Sequence, residues 1–381
     1  MPDDVLILGD TERCAELRHE LPLPIGDPFL YAEAGGVRHV VIPSMEEPRV
    51  AELAGPLSIH LNEEFGIDEL LASTGNRDTA VLEVYARAVR ALGIRAATVP
   101  ATFPLELADR LRADGVQLMV DRAFFAARRR VKSEAELAGI RRAQAGTDAA
   151  MDAARAMLRA AEPDATGALR LDGAPLTCER IRARVYEIFA EHALAADALI
   201  VSHGAQTAVG HDEGSGQIHL DEPVLLDLFP RDRASGCFTD MTRTWVKGTP
   251  APELAEWHAL CVDALRRAIA SARPGVTGKS LFFATCEQFE AHGHATQRTK
   301  QPGVALDHGF YHSLGHGVGL EVHEEPGLGR TGGDPLVAGD VLAIEPGLYR
   351  PGFGGVRVED TVLVTAGGGV PFTTYPYDLE P

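Results

Sequence analysis

Cysteine is scarce in this chain of 381 residues, and its placement excludes whole classes of protein. The cysteines are odd in number and scattered, and no two form a Cys-x-x-Cys pair: Cys14, Cys178, Cys237, Cys261 and Cys286. This pattern excludes a disulfide framework and a zinc knuckle. It favours small buried residues in a reducing compartment.

Long apolar runs and positive charge are also lacking. No run approaches the ~18 consecutive apolar residues of a membrane span, and the start Met1-Pro2-Asp3-Asp4 lacks the basic and apolar parts of a signal peptide. Lys and Arg number 36 against 55 Asp and Glu, and the net charge of −19 argues against nucleic acid or an anionic membrane as partner. With 45% hydrophobic residues the composition is that of a soluble globular protein, so the cytoplasm is the expected location.

Residues 1–127 are predicted to form an α/β domain. Val5–Leu8, Val37–Ile42 and Val116–Val120 are short apolar runs typical of strands. Thr79–Leu92 and Leu105–Leu111 instead carry apolar residues at helical spacing. The basic run 128–130 follows, and it is interpreted as a solvated linker or an interdomain contact.

Residues 128–381 are predicted to form a second domain of mixed strands and helices. Ser133 and Glu136 have the spacing of a capping box, which predicts a long helix ending near Ala161. Residues 162–177, rich in Pro, Gly and Asp, are interpreted as an exposed connection. The later strands and helices suggest a curved sheet covered by helices. The predicted strands are Ala198–Ser202, Val224–Phe229, Phe238–Val246, Val341–Glu345 and Val356–Val364, and the helices are Glu253–Ser271 and Ser280–His292.

Two aspartates in this second domain stand where one hairpin would bring them together. Asp227 ends the apolar run that starts at Val224, and Asp240 shares one face of an alternating segment with Thr242 and Thr244. The turn-rich segment between them fits a hairpin loop. Taken alone, the pair fits ordinary surface aspartates at least as well as metal ligands.

A histidine cluster follows closer to the end of the chain. His312, His316 and His323 are spaced by four and seven residues, among glycines that let a backbone approach a ligand closely. Three imidazoles in so short a segment are hard to explain by packing. The cluster therefore indicates a functional site.

Two glutamates complete the set. Glu345 follows a predicted strand and precedes a Pro-Gly pair, and Glu359 lies in an alternating segment. Arg357 points to the same face as Glu359 and is predicted to orient it. Asp360 faces the opposite way and is interpreted as structural.

These four carboxylates and one imidazole indicate a metal centre. Two carboxylates about 4 Å apart repel by roughly 4 kcal/mol at an effective dielectric of 20. Divalent cations remove that repulsion, and a bridged pair generates a hydroxide nucleophile near neutral pH. The oxygen-rich shell favours manganese, with cobalt, zinc or iron as alternatives. The sequence therefore predicts a metallohydrolase with two divalent ions.

Assembled, these motifs resemble the pita-bread metallopeptidases, in the Xaa-Pro branch that contains prolidase and aminopeptidase P. The resemblance covers nearly the whole chain, and all five ligand positions carry the expected residue types in the expected order. It implies an α/β (α+β) fold, with an N-terminal α/β domain followed by a pita-bread catalytic domain whose curved sheet is mainly antiparallel. It also implies a homodimer.

The resemblance implies a role for each site residue. Asp227 and Asp240 bind one metal, with Asp240 bridging to the other, while His316 and Glu345 complete the ligand set of the second metal and Glu359 bridges both. Glu345 also shuttles a proton between the attacking hydroxide and the leaving amine, and His323 steadies the oxygen of the tetrahedral intermediate. The further substrate-binding and catalytic candidates are His211, His312, Arg330 and Arg357.

The implied activity is hydrolysis of the bond between an N-terminal residue and proline, in Xaa-Pro dipeptides or short peptides with proline second. Arg330 is the candidate clamp for the carboxylate of a dipeptide, and a surface position in a turn is the alternative. The family usually has a glycine two residues after its first aspartate, whereas Phe229 stands here, and the interval to Asp240 is two residues longer than usual. These departures put the shape of the turn in question more than the metal.

Other functions are possible on the same fold. A methionine aminopeptidase shares the glycine-histidine segment but lacks the extra N-terminal domain. A creatinase-like C–N hydrolase shares both domains but works without metal and lacks most of the ligands. The remaining alternative is a catalytically silent binding protein.

Overall fold

The computed structural model describes residues 4–53 and 55–381. The chain divides into two compact units, Met1–Arg129 and Arg130–Pro381. The predicted boundary after residue 127 lies two residues before this division. None of the described helices has the length and apolar composition needed to cross a bilayer.

The first unit is built on one six-stranded mixed sheet, with strand order β4-β3-β2-β1-β5-β6. Its strands are β1 Val5–Gly9, β2 Phe29–Ala34, β3 Val37–Ile42, β4 Ser58–Leu61, β5 Ala96–Val99 and β6 Gln117–Val120. Its helices are α1 Ala15–Glu20, α2 Glu47–Val50, α3 Ile67–Thr74, α4 Arg77–Ala91, α5 Leu105–Ala113 and α6 Arg122–Arg130, with 3-10 turns at Ser44–Glu46 and Asn62–Phe65.

Alternation along β1 explains why this sheet has two buried faces. Val5 and Ile7 pack into one apolar cluster, and Leu6 between them packs into another on the opposite side, as the two-residue period of a strand requires. The division between the units falls within residues 128–130, as expected, but these residues are not a solvated linker. They form the last turn of α6, whose apolar Phe125 is buried.

The second unit is organised by four helices. They are α7 Glu134–Ala160, α8 Cys178–Glu191, α9 Pro252–Ser271 and α10 Gly278–Ala291. The predicted capping box begins α7: the Glu136 amide donates to Ser133 Oγ at 3.2 Å, and the Ser133 amide donates to Glu136 Oε2 at 2.7 Å. A 3-10 turn at Gly204–Ala208 precedes the first residues of the candidate site.

Every strand pairing within the second unit is antiparallel. Two sheets matter for the site: β11-β12-β14 and β16-β15-β17-β20-β21. The strands are β7 Glu162–Pro163, β8 Leu169–Leu171, β9 Ala174–Pro175, β10 Leu194–Ala195, β11 Ile200–His203, β12 Pro223–Leu228, β13 Arg231–Asp232, β14 Met241–Val246, β15 Gly315–Gly317, β16 Glu324–Leu328, β17 Val341–Ile344, β18 Gly347–Arg350, β19 Gly354–Arg357, β20 Asp360–Thr365 and β21 Gly368–Pro371.

Two expectations about this unit were wrong. Residues 162–177 are not a bare connection but the small sheet β7-β8-β9, because Leu169 and Leu176 are fully buried and anchor it. The segment Val356–Val364 is not one strand. Its backbone leaves β19 where the Val358 amide donates to the carbonyl of Pro346, and the chain then enters β20 in a different sheet.

Candidate metal centre

Strand pairing brings the two predicted aspartates to one place. Asp227 lies near the end of β12, and Asp240 immediately precedes β14. The two strands pair antiparallel with Asp227 opposite Thr242, so the hairpin-like arrangement predicted from the sequence is present. The longer interval between the aspartates is occupied by β13, which pairs with β10.

The other three predicted ligands come from the five-stranded sheet. His316 lies in β15, Glu345 directly follows β17, and Glu359 directly precedes β20. Because β17 pairs with both β15 and β20, these three residues lie side by side at one end of the three strands. Gly315 allows the close approach: its φ is +153°, and a Cβ there would lie 1.9 Å from the carbonyl oxygen of Ala343.

The five side chains line one cavity of about 900 Å³. One donor atom each from Asp240, His316 and Glu359 lies within 4.8 Å of the others. His316 Nε2 is 3.7 Å from Asp240 Oδ2 and 3.8 Å from Glu345 Oε1. Such short separations between imidazole and carboxylate donor atoms are those of ligands around shared cations.

Two buried oxygens show that the protein alone does not complete this site. Asp227 Oδ1 and Asp240 Oδ1 have no hydrogen-bond partner among the described residues. Burial raises the pKa of Asp240 and Glu359 well above the usual range, and neighbouring carboxylates raise it further. Burial likewise raises the pKa of Glu345 to about 7. Divalent cations would satisfy the unbonded oxygens and remove the repulsion, so the donor set fits them.

Arg357 is bonded differently from the prediction. Its Nη2 lies 2.5 Å from Asp227 Oδ2, so it orients Asp227 rather than Glu359. Glu359 is held instead by Thr242, whose hydroxyl donates to Glu359 Oε2 at 2.6 Å. Arg357 reaches this pair only through the same hydroxyl, which accepts from Arg357 Nε at 3.2 Å. The sequence placed Thr242 on the face of Asp240 but gave no sign of its contact with Glu359.

Hydrogen bonds fix the rings of two histidines. His316 Nδ1 is 3.1 Å from the carbonyl oxygen of Gly317, which leaves Nε2 free to face the carboxylates. His312 Nδ1 is 2.7 Å from the carbonyl oxygen of Ser313, and its Nε2 is 2.9 Å from the hydroxyl of Tyr349. Burial lowers the pKa of His312 to about 3 and that of His316 to about 4, so both rings are neutral at pH 7.

The remaining predicted residues differ in position. His211 and His323 are exposed at the cavity, and the ring of His323 lies 4.2 Å from that of His316, centroid to centroid. Arg330 is exposed two residues after β16 and is not among the described residues that line the cavity. Its role as a clamp stays a prediction.

The sequence did not reveal the apolar wall of the cavity or Tyr349. The wall is formed by residues to which the sequence assigned no part in the cavity, among them Ile200, Val209, Phe229, Tyr311 and Val322. Tyr349 is fully buried and joins His312 to Arg357, whose Nη1 donates to the Tyr349 hydroxyl at 3.2 Å. Tyr349 lies in β18, four residues after Glu345, and this closeness in sequence was the signal that could have linked it to the site.

Comparisons with known proteins identify the family of the chain. Residues 138–366 match metallopeptidase family M24, a span of more than half the chain. The Xaa-Pro dipeptidase of Pyrococcus furiosus is 36% identical over 181 residues, which cover 47% of this chain and 48% of that protein. The chain thus matches about half the length of this relative.

Solved structures resemble the chain over almost its whole length. The prolidase from Pyrococcus horikoshii has a TM-score of 0.77 at 25% identity, covering 99% of this chain and 95% of that one. The Xaa-Pro dipeptidase from Bacillus anthracis has a TM-score of 0.79 at 22% identity, covering 99% and 94%. The predicted fold class is confirmed, including the pita-bread arrangement.

The fold is that of the metallopeptidases, and the acidic centre is a candidate site for divalent ions. The chain belongs to metallopeptidase family M24. The creatinase-like and silent alternatives are not favoured, because the five ligand types are all present and lie together.

Proposed function

We propose that this chain is a metal-dependent exopeptidase that hydrolyses the bond between an N-terminal residue and proline, as a Xaa-Pro dipeptidase or Xaa-Pro aminopeptidase. The observation that carries the proposal is the meeting of five donor side chains, two of them with unbonded buried oxygens, on one cavity of an M24 chain. Relatives named Xaa-Pro dipeptidase and prolidase support the choice of substrate.

The proposed ligands hold two divalent ions. Asp227 and Asp240 would hold the first, His316 and Glu345 would hold the second, and Asp240 and Glu359 would contribute to both. When bound, the ions would polarise the scissile carbonyl and supply an activated water. Manganese is the proposed metal because four of the five ligands offer carboxylate oxygens, and cobalt, zinc and iron are the alternatives.

The remaining roles belong to the protein's own side chains. Glu345 carries the proton to the leaving prolyl nitrogen, and His323 donates a hydrogen bond to the developing oxyanion. His211 and His312 flank the substrate, Arg357 holds Asp227 in place, and Arg330 would be the carboxylate clamp if the preferred substrate were a dipeptide. The support is positional, because all of these except Arg330 line the cavity.

We also propose the division of labour, assembly and location that the sequence suggested. The first unit is a creatinase- and prolidase-like N-terminal domain, and the second, from about residue 128 to 381, carries the chemistry. The proposed assembly is a homodimer. The proposed compartment is the cytoplasm, which is supported by the scattered cysteines, all of them unpaired in the structure.

A reconstitution assay tests the proposed activity. Protein stripped of metal and reloaded with Mn²⁺ is expected to hydrolyse Xaa-Pro peptides of two to five residues. Matched Xaa-Ala peptides serve as the substrate control, and Glu345→Gln serves as the protein control. Absence of metal-stimulated cleavage from every Xaa-Pro peptide, or equal cleavage of Xaa-Ala peptides, would contradict the proposal.

A further inference from the structure

None of the described residues that line the cavity offers an uncommitted cationic side chain for the free carboxylate of a dipeptide. Among the described lining residues, Arg357 is the single one that carries a permanent positive charge. Its side chain is buried and already bonded to Asp227, to the Tyr349 hydroxyl and to the Thr242 hydroxyl. Moving it to a substrate carboxylate would leave Asp227 buried without its partner, which is costly.

The imidazoles of the cavity do not replace that cation. Both ring nitrogens of His312 are occupied by Ser313 and Tyr349, and His316 faces the acidic centre. His211 and His323 are exposed at the cavity and can donate hydrogen bonds. An imidazole is mostly uncharged at neutral pH, so its hydrogen bond stabilises a bound carboxylate much less than an arginine's would.

The charged groups that remain at the cavity are acidic. Glu213 and Asp307 are both exposed and both line it. The carboxylate of Glu213 has no hydrogen bond or ion pair within the described chain, and Asp307 is paired with the neighbouring His308 at 3.0 Å. At physiological ionic strength such charges act over a Debye length of about 8 Å. They repel a substrate carboxylate and attract positive charge.

The size of the cavity agrees with a longer substrate. Its volume of about 900 Å³ is near the upper end of the roughly 300–1,000 Å³ typical of small-molecule sites. Its apolar wall includes Ile200, Phe229 and Tyr311, which suit proline and uncharged peptide. A dipeptide would leave much of this space unfilled.

We propose that this site selects peptides of three or more residues, in which the prolyl carbonyl is a neutral amide, over dipeptides with a free prolyl carboxylate. Glu213 and Asp307 are the specificity-determining residues, and they also favour positive charge on the peptide. The inference rests on the proposed Xaa-Pro activity and adds the substrate class to it. It assigns Arg330, which lies outside the lining, no part in binding.

The kinetic test compares substrates that differ in charge or length alone. For the Mn²⁺-loaded protein, kcat/KM for Ala-Pro-Ala and for Ala-Pro-amide is expected to exceed that for Ala-Pro at least tenfold. Added salt is expected to reduce the ratio of kcat/KM for these two substrates to kcat/KM for Ala-Pro. The double substitution Glu213→Gln with Asp307→Asn is expected to reduce it too. Glu187→Gln removes an exposed carboxylate from the outer face of α8 and is expected to leave the ratio unchanged.

A binding measurement gives a second readout that needs no turnover. Calorimetry with the products proline and prolinamide is expected to show tighter binding of prolinamide, with the difference reduced in the double variant. Proline binding at least as tightly as prolinamide would overturn the inference. So would Ala-Pro as the best substrate, a ratio unmoved by the double substitution, or loss of Ala-Pro cleavage in Arg330→Ala, which would make Arg330 the clamp.

Failure of this inference can be told apart from failure of the proposed function. If Ala-Pro is cleaved best, the activity stands and the selectivity is overturned. If no Xaa-Pro peptide is cleaved after reconstitution, the activity fails, and the inference falls with it.

Discussion

Two buried arginine–carboxylate pairs in the second unit differ in how completely their polar atoms are bonded. In the first, Arg243 Nη2 donates to Asp360 Oδ1 at 2.8 Å and to the carbonyl of Tyr375, and the other guanidinium nitrogens donate to three backbone carbonyls. The second oxygen of Asp360 accepts from the Tyr377 hydroxyl. In the second pair, Arg357 binds one oxygen of Asp227 and the other oxygen has no partner among the described residues.

The difference separates a structural pair from a functional one. A buried polar atom without a partner costs roughly 1–3 kcal/mol, so two unbonded carboxylate oxygens that line one cavity indicate a bound group that completes them. The two environments are adjacent in sequence: Thr242 and Glu359 face the site, and the next residues, Arg243 and Asp360, form the saturated pair. One residue along a strand thus decides between ligand and scaffold.

The largest expected effect comes from removing a charge at the unsaturated centre. Asp240→Asn is expected to lower kcat/KM by about 10³-fold, corresponding to about 4 kcal/mol of transition-state stabilisation. The ion-free variant should unfold at least as high in urea as the ion-free wild type, since the substitution removes a buried carboxylate repelled by Glu359. Full activity in this variant, or a markedly lower stability of its ion-free form, would contradict the distinction between a functional centre and a structural pair.

Breaking the fully bonded pair of Arg243 and Asp360 should instead lower the stability of the ion-free protein. Arg243→Met leaves Asp360 buried without its cation and is expected to lower the free energy of unfolding by about 3–5 kcal/mol. Urea denaturation of the ion-free protein measures this. Arg142→Met is the matched control, since Arg142 pairs with Asp232 but is 52% exposed, and it should cost less than about 1 kcal/mol. Equal losses in the two variants would contradict the account.

The hydroxyl between the two environments should have a smaller effect. Thr242→Val removes the donor to Glu359 Oε2 and is expected to weaken metal binding by about 10–100-fold. Thr242→Ser keeps the hydroxyl and should restore most of the affinity. Calorimetric titration with Mn²⁺ compares the three proteins. Unchanged affinity in Thr242→Val would mean that Glu359 is oriented by other contacts.

The pH dependence of stability tests a buried histidine that is affected by the charge of Arg243. Burial, together with the charge of Arg243, lowers the pKa of His258 in α9 to about 4. Because the folded pKa lies below the unfolded one, this contribution is present above about pH 6.5 and is lost as the pH falls towards 4. The loss is about 2 kcal/mol at pH 5. His258→Gln should show a correspondingly flatter profile between pH 6.5 and 4, and an unchanged profile would place the titration elsewhere.

Much of this fold could be predicted because its signals are local. The capping box at Ser133 begins α7, and two-residue alternation marks β1. Residues 162–177 escaped prediction because the few buried side chains, such as Leu169, are separated by turn residues. The break before β20 was equally hidden, since it arises from hydrogen bonds to the distant Pro346 and Thr242.

The candidate site divides in the same way. The ligand types and their order were readable because each stands at a strand end or among glycines, and the structure brings all five to one cavity. The partner of Arg357 was not readable, because sequence spacing favoured Glu359, while the fold brings Asp227 from a different sheet against the guanidinium. Tertiary pairing, rather than residue type, decided that contact.

A titration of Mn²⁺ into ion-free protein tests the central claim most directly. The account predicts that the wild type binds two ions per chain, that Asp240→Asn loses at least one of them, and that Asp360→Asn, adjacent in sequence to Glu359, keeps both wherever it stays folded. Absence of binding in the wild type, or equal losses from the two substitutions, would contradict it.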